Sequence, residues 1–223
     1  MSARERDFRI GLDFGQRQDH SALCLVEVGE KAVVKALVKY PLGTGYPTVV
    51  ETVVGLYKSV VSTHTDEDGS WNGTVTTFAA DATGVGSEPA KYLQTLLPDA
   101  RVEPFVFTNQ RKRELVGKVK VLHAFGRLKF ARRKGDEVYN RTLSELITEM
   151  KQVQAKVVRE DMSNPEIEIF KTGMHDDLFT ALALAVKDIH IDESWSDYQM
   201  FVPDKTWMKT PLEERTYPEP LFF

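Results

Sequence analysis

The sequence predicts an α/β fold: a mixed β-sheet, begun by an antiparallel three-strand meander and extended by parallel strands, with helices on its faces. Two patterns carry this reading. Three β-type runs fill the first forty residues with turn-length gaps, as a hairpin meander does. Strand and helix patterns then alternate, and parallel strands need such crossovers. The chain has 223 residues, 42% of them hydrophobic and 28% charged, enough for one domain with a real core.

In order, Phe8, Ile10, Leu12 and Phe14 alternate with Arg9, Gly11 and Asp13, which is strand periodicity with a carboxylate near the end. Residues 21–28 and 32–39 are valine-rich runs joined through Gly29-Glu30, a hairpin. Residues 48–61 carry Val49, Val50, Val53, Tyr57, Val60 and Val61 at helical spacing. A polar loop over 65–73 leads to a strand over 74–80 that ends at Asp81. Thr83-Gly84-Val85-Gly86 is a turn, and Ser87 is placed to cap a helix running to Leu97, before Pro98.

Residues 102–107 form the next strand. Thr108 caps a helix carrying Leu115, Val119 and Leu122 that ends at Gly126. A helix from about Asn140 to Val153 follows, then a hairpin of 154–159 and 167–171 around Asn164-Pro165. His175-Asp176-Asp177 opens a final helix rich in alanine and leucine. The domain spans residues 1–189. Residues 190–223 hold four prolines and seven aromatics without a period and read as an extended tail, an arm that docks on the domain or on a partner.

Composition narrows the function. A formal net charge of −4 excludes a uniformly basic nucleic-acid binder but not a local basic patch. The single cysteine, Cys24, excludes an intrachain disulfide framework and a cysteine-rich zinc site, and it points to a reducing, cytosolic compartment. No run of eighteen apolar residues occurs, so no membrane-spanning helix is expected, and residues 1–7 do not read as a signal peptide. There is no Gly-x-x-x-x-Gly-Lys-[Ser/Thr] nucleotide loop.

Four aspartates stand where active sites of sheet proteins gather, at strand ends and helix starts: Asp13, Asp81, Asp176 and Asp177. Each has a plainer reading. Asp176 or Asp177 alone serves as a helix cap, and Asp81 as a turn residue. Asp13 is harder to explain, because aspartate is unfavoured in strands. Together they suggest a cluster that repels itself unless a cation neutralises it. Oxygen donors suit Mg²⁺ or Mn²⁺, and two such ions serve phosphodiester hydrolysis, one activating water and one stabilising the leaving oxygen.

A basic stretch lies between these aspartates. Arg111, Lys112, Arg113, Lys118, Lys120, Arg127, Lys129, Arg132, Arg133 and Lys134 face only one acid, Glu114, giving +9 within a chain of −4. Such an imbalance fits phosphate contacts with little base reading.

Ile10-Gly11-Leu12-Asp13-Phe14-Gly15, Asp19-His20-Ser21-Ala22, residues 80–86, Phe107-Thr108-Asn109-Gln110 with Lys112, and His175-Asp176-Asp177-Leu178 with Ala181-Leu182-Ala183 occur in the order of a known family. Over about residues 8–187 the chain resembles the nuclease domain of the phage large terminase subunit. The resemblance implies an RNase H-like, RuvC-like fold and a metal-dependent endodeoxyribonuclease that cuts concatemeric viral DNA during genome packaging. It implies double-stranded DNA as substrate, a packaging ATPase domain, a small terminase subunit and a portal as partners, and the cytoplasm of the infected host cell as location. Asp13, Asp81, Asp176 and Asp177 become metal ligands and catalytic residues for two Mg²⁺ or Mn²⁺ ions. The family often has another acid three positions after the second helix aspartate; Thr180 stands there.

Two other readings compete. Residues 10–15 also resemble the first phosphate loop of actin-like and sugar-kinase-type phosphotransferases, although the second Asp-x-Gly-Gly-[Thr/Ser] turn is missing. A non-catalytic DNA-binding scaffold, its aspartates merely capping and turning, is the third.

Overall fold

The computed structural model describes residues 6–15, 19–61, 74–159, 166–171 and 176–190, with 154–159 and 166–171 described by backbone alone. The chain opens with β1 (Asp7–Asp13), β2 (Ala22–Val28) and β3 (Ala32–Lys39), paired antiparallel in turn. Then come α1 (Tyr46–Val61), β4 (Thr74–Asp81), α2 (Ser87–Leu96) and β5 (Val102–Phe105). β4 returns parallel to β1, and β5 parallel to β4. After α3 (Asn109–Ala124), the two-residue β6 (Leu128–Lys129) joins β3 in parallel. The sheet order is β5-β4-β1-β2-β3-β6, the mixed meander-plus-parallel arrangement that the sequence predicts. α4 (Glu137–Gln152) leads into a separate antiparallel hairpin, β7 (Val153–Arg159) and β8 (Glu166–Lys171), and α5 (Asp177–Val186) follows.

Several boundaries differ from the sequence reading, each for a local reason. Ser87 is the first residue of α2 rather than its cap, because a 3₁₀ turn over Gly84–Gly86 runs straight into the helix. β5 stops at Phe105, and the Phe107 amide leaves the ladder to donate to Thr83 Oγ1 at 2.9 Å. α4 begins three residues early, because Asp136 caps it by accepting from the Tyr139 amide at 3.0 Å. β6 is too short to show periodicity and is pinned from outside by the Ala32 amide donating to the Arg127 carbonyl at 2.7 Å. His175, the 65–73 loop and the tail beyond residue 190 lie outside the described residues.

The alternation in β1 sorts the core into two layers. Phe8, Ile10, Leu12 and Phe14 pack with Val49, Val50 and Val53 of α1 and Leu93 of α2. On the other face Cys24 and Val26 of β2 meet Leu115 and Val119 of α3, Leu143 and Leu146 of α4, and nearly all of α5. α5 is apolar all round because it is enclosed all round, by the sheet beneath and by α3 and α4 beside it. Leu178, Leu182 and Leu184 are fully buried, each contributing roughly 1.5–3 kcal/mol.

Gly11 sets the closeness of that packing. A Cβ there would stand 1.9 Å from the Ala181 carbonyl oxygen and 2.5 Å from the Ala185 amide nitrogen. Helix backbone thus rests on strand backbone, which needs glycine below and alanine above.

At the other side of the meander, Lys35 is the extra residue where the β2–β3 register steps between Leu25 and Val26. Its carbonyl accepts from the Arg133 guanidinium, and the neighbouring Val34 carbonyl accepts from the Tyr139 hydroxyl at 3.3 Å.

Candidate active site

Register brings the first two aspartates together. β1 and β4 are parallel neighbours with Leu12 beside Ala80, so the next residues, Asp13 and Asp81, end their strands side by side. The close seat of α5 on Gly11 delivers its first turn to the same end. Asp13 feels the charges of Asp81, Asp177 and Asp176, so all four predicted aspartates meet at one end of the sheet.

Their electrostatics are strained. Burial first, then the charges of Asp81, Asp177 and Asp176, hold the Asp13 carboxyl well above the usual carboxylate range. The hydrogen bond between the two side chains raises Asp13 further and lowers Asp81. Asp81 is itself raised by burial, against the opposing pull of Thr83, Asp13 and Lys112. The Thr83 amide donates to Asp81 Oδ1 at 2.7 Å, so Asp81 is a turn residue and a site residue at once. Gly86 closes that turn: a Cβ there would meet the Asp81 carbonyl oxygen at 2.3 Å. Asp177 is 3% exposed, while Asp13, Asp81 and Asp176 stay partly open to solvent.

Lys112, expected among the DNA contacts, lies inside the site. Its Nζ stands 3.7 Å from Asp176 Oδ2, and its charge also reaches Asp81. The neighbouring Arg111 stacks over Phe105, the β5 partner of Asp81, 5.0 Å from the ring centre. The rest of the basic stretch runs away from the site. α3 leads to β6, on the opposite sheet edge from β5, five strand steps or roughly 24 Å across. Four of its members bond to other parts of the fold: Lys118 donates to the Ile189 carbonyl, Arg127 to Glu30, Arg132 to Ser144 Oγ and Arg133 to Lys35. Lys120, Lys129, Arg132 and Lys134 are exposed and Arg113 is partly so.

Sequence reasoning missed Glu149. It projects from α4 into the core, 6% exposed, and Oε2 accepts from the Phe179 amide at 2.9 Å. Lys39 Nζ lies 3.4 Å from its Oε1. Burial raises the Glu149 carboxyl to about 7, with Asp177 adding to the rise and the Phe179 amide and Lys39 opposing it. The sign was there to be read: an acid occupies position 149 of the apolar stripe Leu143, Leu146, Met150.

Among the described residues, no three acidic, histidine or cysteine side chains form a ready coordination shell. The donors still suit a hard cation. They are carboxylate oxygens only, and burial together with its negative neighbours disfavours the charged form of Asp13. A hard divalent cation such as Mg²⁺ or Mn²⁺ would offset that crowding, and Asp13, Asp81, Asp176 and Asp177 are the residues that would hold it.

No protein-family model matches the chain, and neither does any curated protein. Solved structures do. The large terminase nuclease of thermophilic phage G20c aligns at 18% identity and a TM-score of 0.53, covering 84% of this chain and 85% of that one. The human cytomegalovirus terminase nuclease domain, soaked with Mn, aligns at 11% identity and a TM-score of 0.54, over 83% and 84%. The large terminase nuclease domain of bacteriophage SPP1, with bound Mn, aligns at 13% and 0.50, over 82% and 86%. The chain therefore has the RNase H-like fold of the large terminase nuclease domains.

Proposed function

We propose that the chain is a divalent-metal-dependent endodeoxyribonuclease that cuts concatemeric viral DNA during genome packaging. The observation that carries the reading is the crowding of Asp13, Asp81, Asp176 and Asp177 at one end of the sheet, where burial and then the charges of the other three raise the Asp13 carboxyl well above the usual carboxylate range. Likeness of fold to terminase nucleases, two of them holding or soaked with Mn, supports the same chemistry.

In this reading two Mg²⁺ or Mn²⁺ ions, when bound, supply the Lewis acid and the activated water for phosphodiester hydrolysis. The chain's own residues do the rest. Asp13 and Asp81 hold donors side by side on rigid strands, and Thr83 fixes the orientation of Asp81. Asp176 and Asp177 bring donors from a helix whose position is set by Gly11. Lys112 holds positive charge against Asp176 and Asp81 and stands ready for a phosphate oxygen. Arg111 and the exposed cations farther along α3 and β6 take the duplex backbone without reading bases. The partners are the packaging ATPase domain, small subunit and portal of a terminase, in the infected host's cytoplasm.

Plasmid cleavage tests this. The expected result is cleavage of supercoiled DNA with Mn²⁺ and none with EDTA. Asp13→Asn and Asp81→Asn fold normally by circular dichroism and lose at least about 100-fold in rate, some 3 kcal/mol of transition-state stabilisation. Full activity in either variant removes the metal-site reading.

A further inference from the structure

Helix α5 is capped from outside. Its N-cap residue, Asp176, makes no side-chain capping bond, although aspartate there normally accepts from the second or third helical amide. The third helical amide, Phe179, instead donates to Glu149 Oε2 at 2.9 Å, from a residue thirty positions earlier on α4. Glu149 is held in turn by Lys39, 3.4 Å from Oε1. Lys39 shares a row of the sheet with the site: Asp13 pairs with Ala22, and Ala22 with Lys39. Directly opposed residues project from the same face, so Lys39 emerges on the side where Asp13 meets α5.

We propose that Glu149, braced by Lys39, is a positioning residue of the carboxylate site, taking over the cap of α5 so that Asp176 and Asp177 are turned toward Asp13 instead of toward their own helix. The inference rests on the metal-site reading above. A local cap would fold the Asp176 carboxylate back onto the Phe179 amide and withdraw it from the cluster. The borrowed cap satisfies that amide in place of Asp176. It also ties the register of α4 to the angle at which α5 presents Asp177.

The test uses the full chain and Mn²⁺ as probe. Calorimetric titration gives metal affinity, and hydrogen exchange of the Phe179 amide, measured without metal, reports the cap. Glu149→Gln keeps an acceptor oxygen at the same reach; it holds Mn²⁺ affinity within about threefold and leaves exchange unchanged. Glu149→Leu removes the acceptor, and Glu149→Asp shortens it by one methylene, for use where the leucine variant does not fold. Each weakens Mn²⁺ binding about 10-fold or more, in the range usual for residues that orient metal ligands, and speeds Phe179 exchange about 10-fold. Unchanged affinity in a folded Leu or Asp variant overturns the proposal, even where exchange accelerates, because Glu149 is then a cap and nothing more. A Gln variant as weak as the Asp variant overturns it too, since charge and not the acceptor would be at work. A wild-type chain that binds no Mn²⁺ overturns the metal-site reading and this inference with it, whereas a wild type that binds beside unaffected variants defeats the inference alone.

Discussion

Asp13 and Glu149 are both acids that the folded chain keeps protonated longer than the unfolded chain does. Glu149 ionises near 4.5 when unfolded and at about 7 when folded, so between those values the native state binds the extra proton. Stability then falls as pH rises, because the unfolded state binds fewer protons than the native one. Asp13 adds to the same slope, from its ordinary value upward. In EDTA, the melting temperature should decline from pH 5 to pH 8, most of the loss coming before Glu149 is fully ionised. Mn²⁺ favours the ionised carboxylates, so its stabilising shift should grow over the same range. A metal-free melting curve that is flat in pH contradicts this. Asp13→Asn removes the repelled charge; it should raise the metal-free melting temperature at pH 8 by a few degrees, at about 2–4 °C per kcal/mol for a chain of this size, while abolishing the Mn²⁺ response.

Elements explain why those side chains meet. Gly11→Ala drives a methyl group into the α5 backbone at Ala181 and Ala185, and it should cost about 3 kcal/mol or more in urea unfolding. Thr108 caps α3 by accepting from the Arg111 amide at 3.2 Å; Thr108→Ala should cost about 1 kcal/mol and loosen the turn that carries Lys112. The strands of the meander were legible because alternation and hairpin spacing are local. So were Asp13 and Asp81, each the last residue of a strand. β6 was not legible, since two residues carry no period and its pairing depends on a partner almost a hundred positions away. Glu149 escaped for a related reason: its hydrogen-bond partner is a backbone amide on another helix, which no side-chain pattern announces. Lys112 was noticed for its charge, but its place among the aspartates depends on how α3 lies against α5.

The basic stretch looks continuous in sequence and is divided in the molecule. Arg111 and Lys112 lie at the carboxylates, whereas Lys129, Arg132 and Lys134 lie near the far sheet edge. Replacing those three with Gln should flatten the salt dependence of duplex binding, by up to about 0.9 in log–log slope for each phosphate no longer neutralised, with melting temperature unchanged. Arg127→Ala and Arg133→Ala should instead lower the melting temperature, because both bond to backbone carbonyls of other elements. Equal salt slopes in wild type and the triple Gln variant would remove the far edge from the DNA path.

That same margin bears on how copies of the chain behave beside one another. A sheet that ends in unclaimed carbonyls offers a template to any extended strand nearby, and β6 covers only Ala32 and Val33 of β3. Just past that cover, Lys35 bulges, and Arg133 and Tyr139 occupy the two carbonyls that a stranger would pair with first. At this stretch of the border, side chains from elsewhere in the fold thus take the place that a neighbouring strand would otherwise fill.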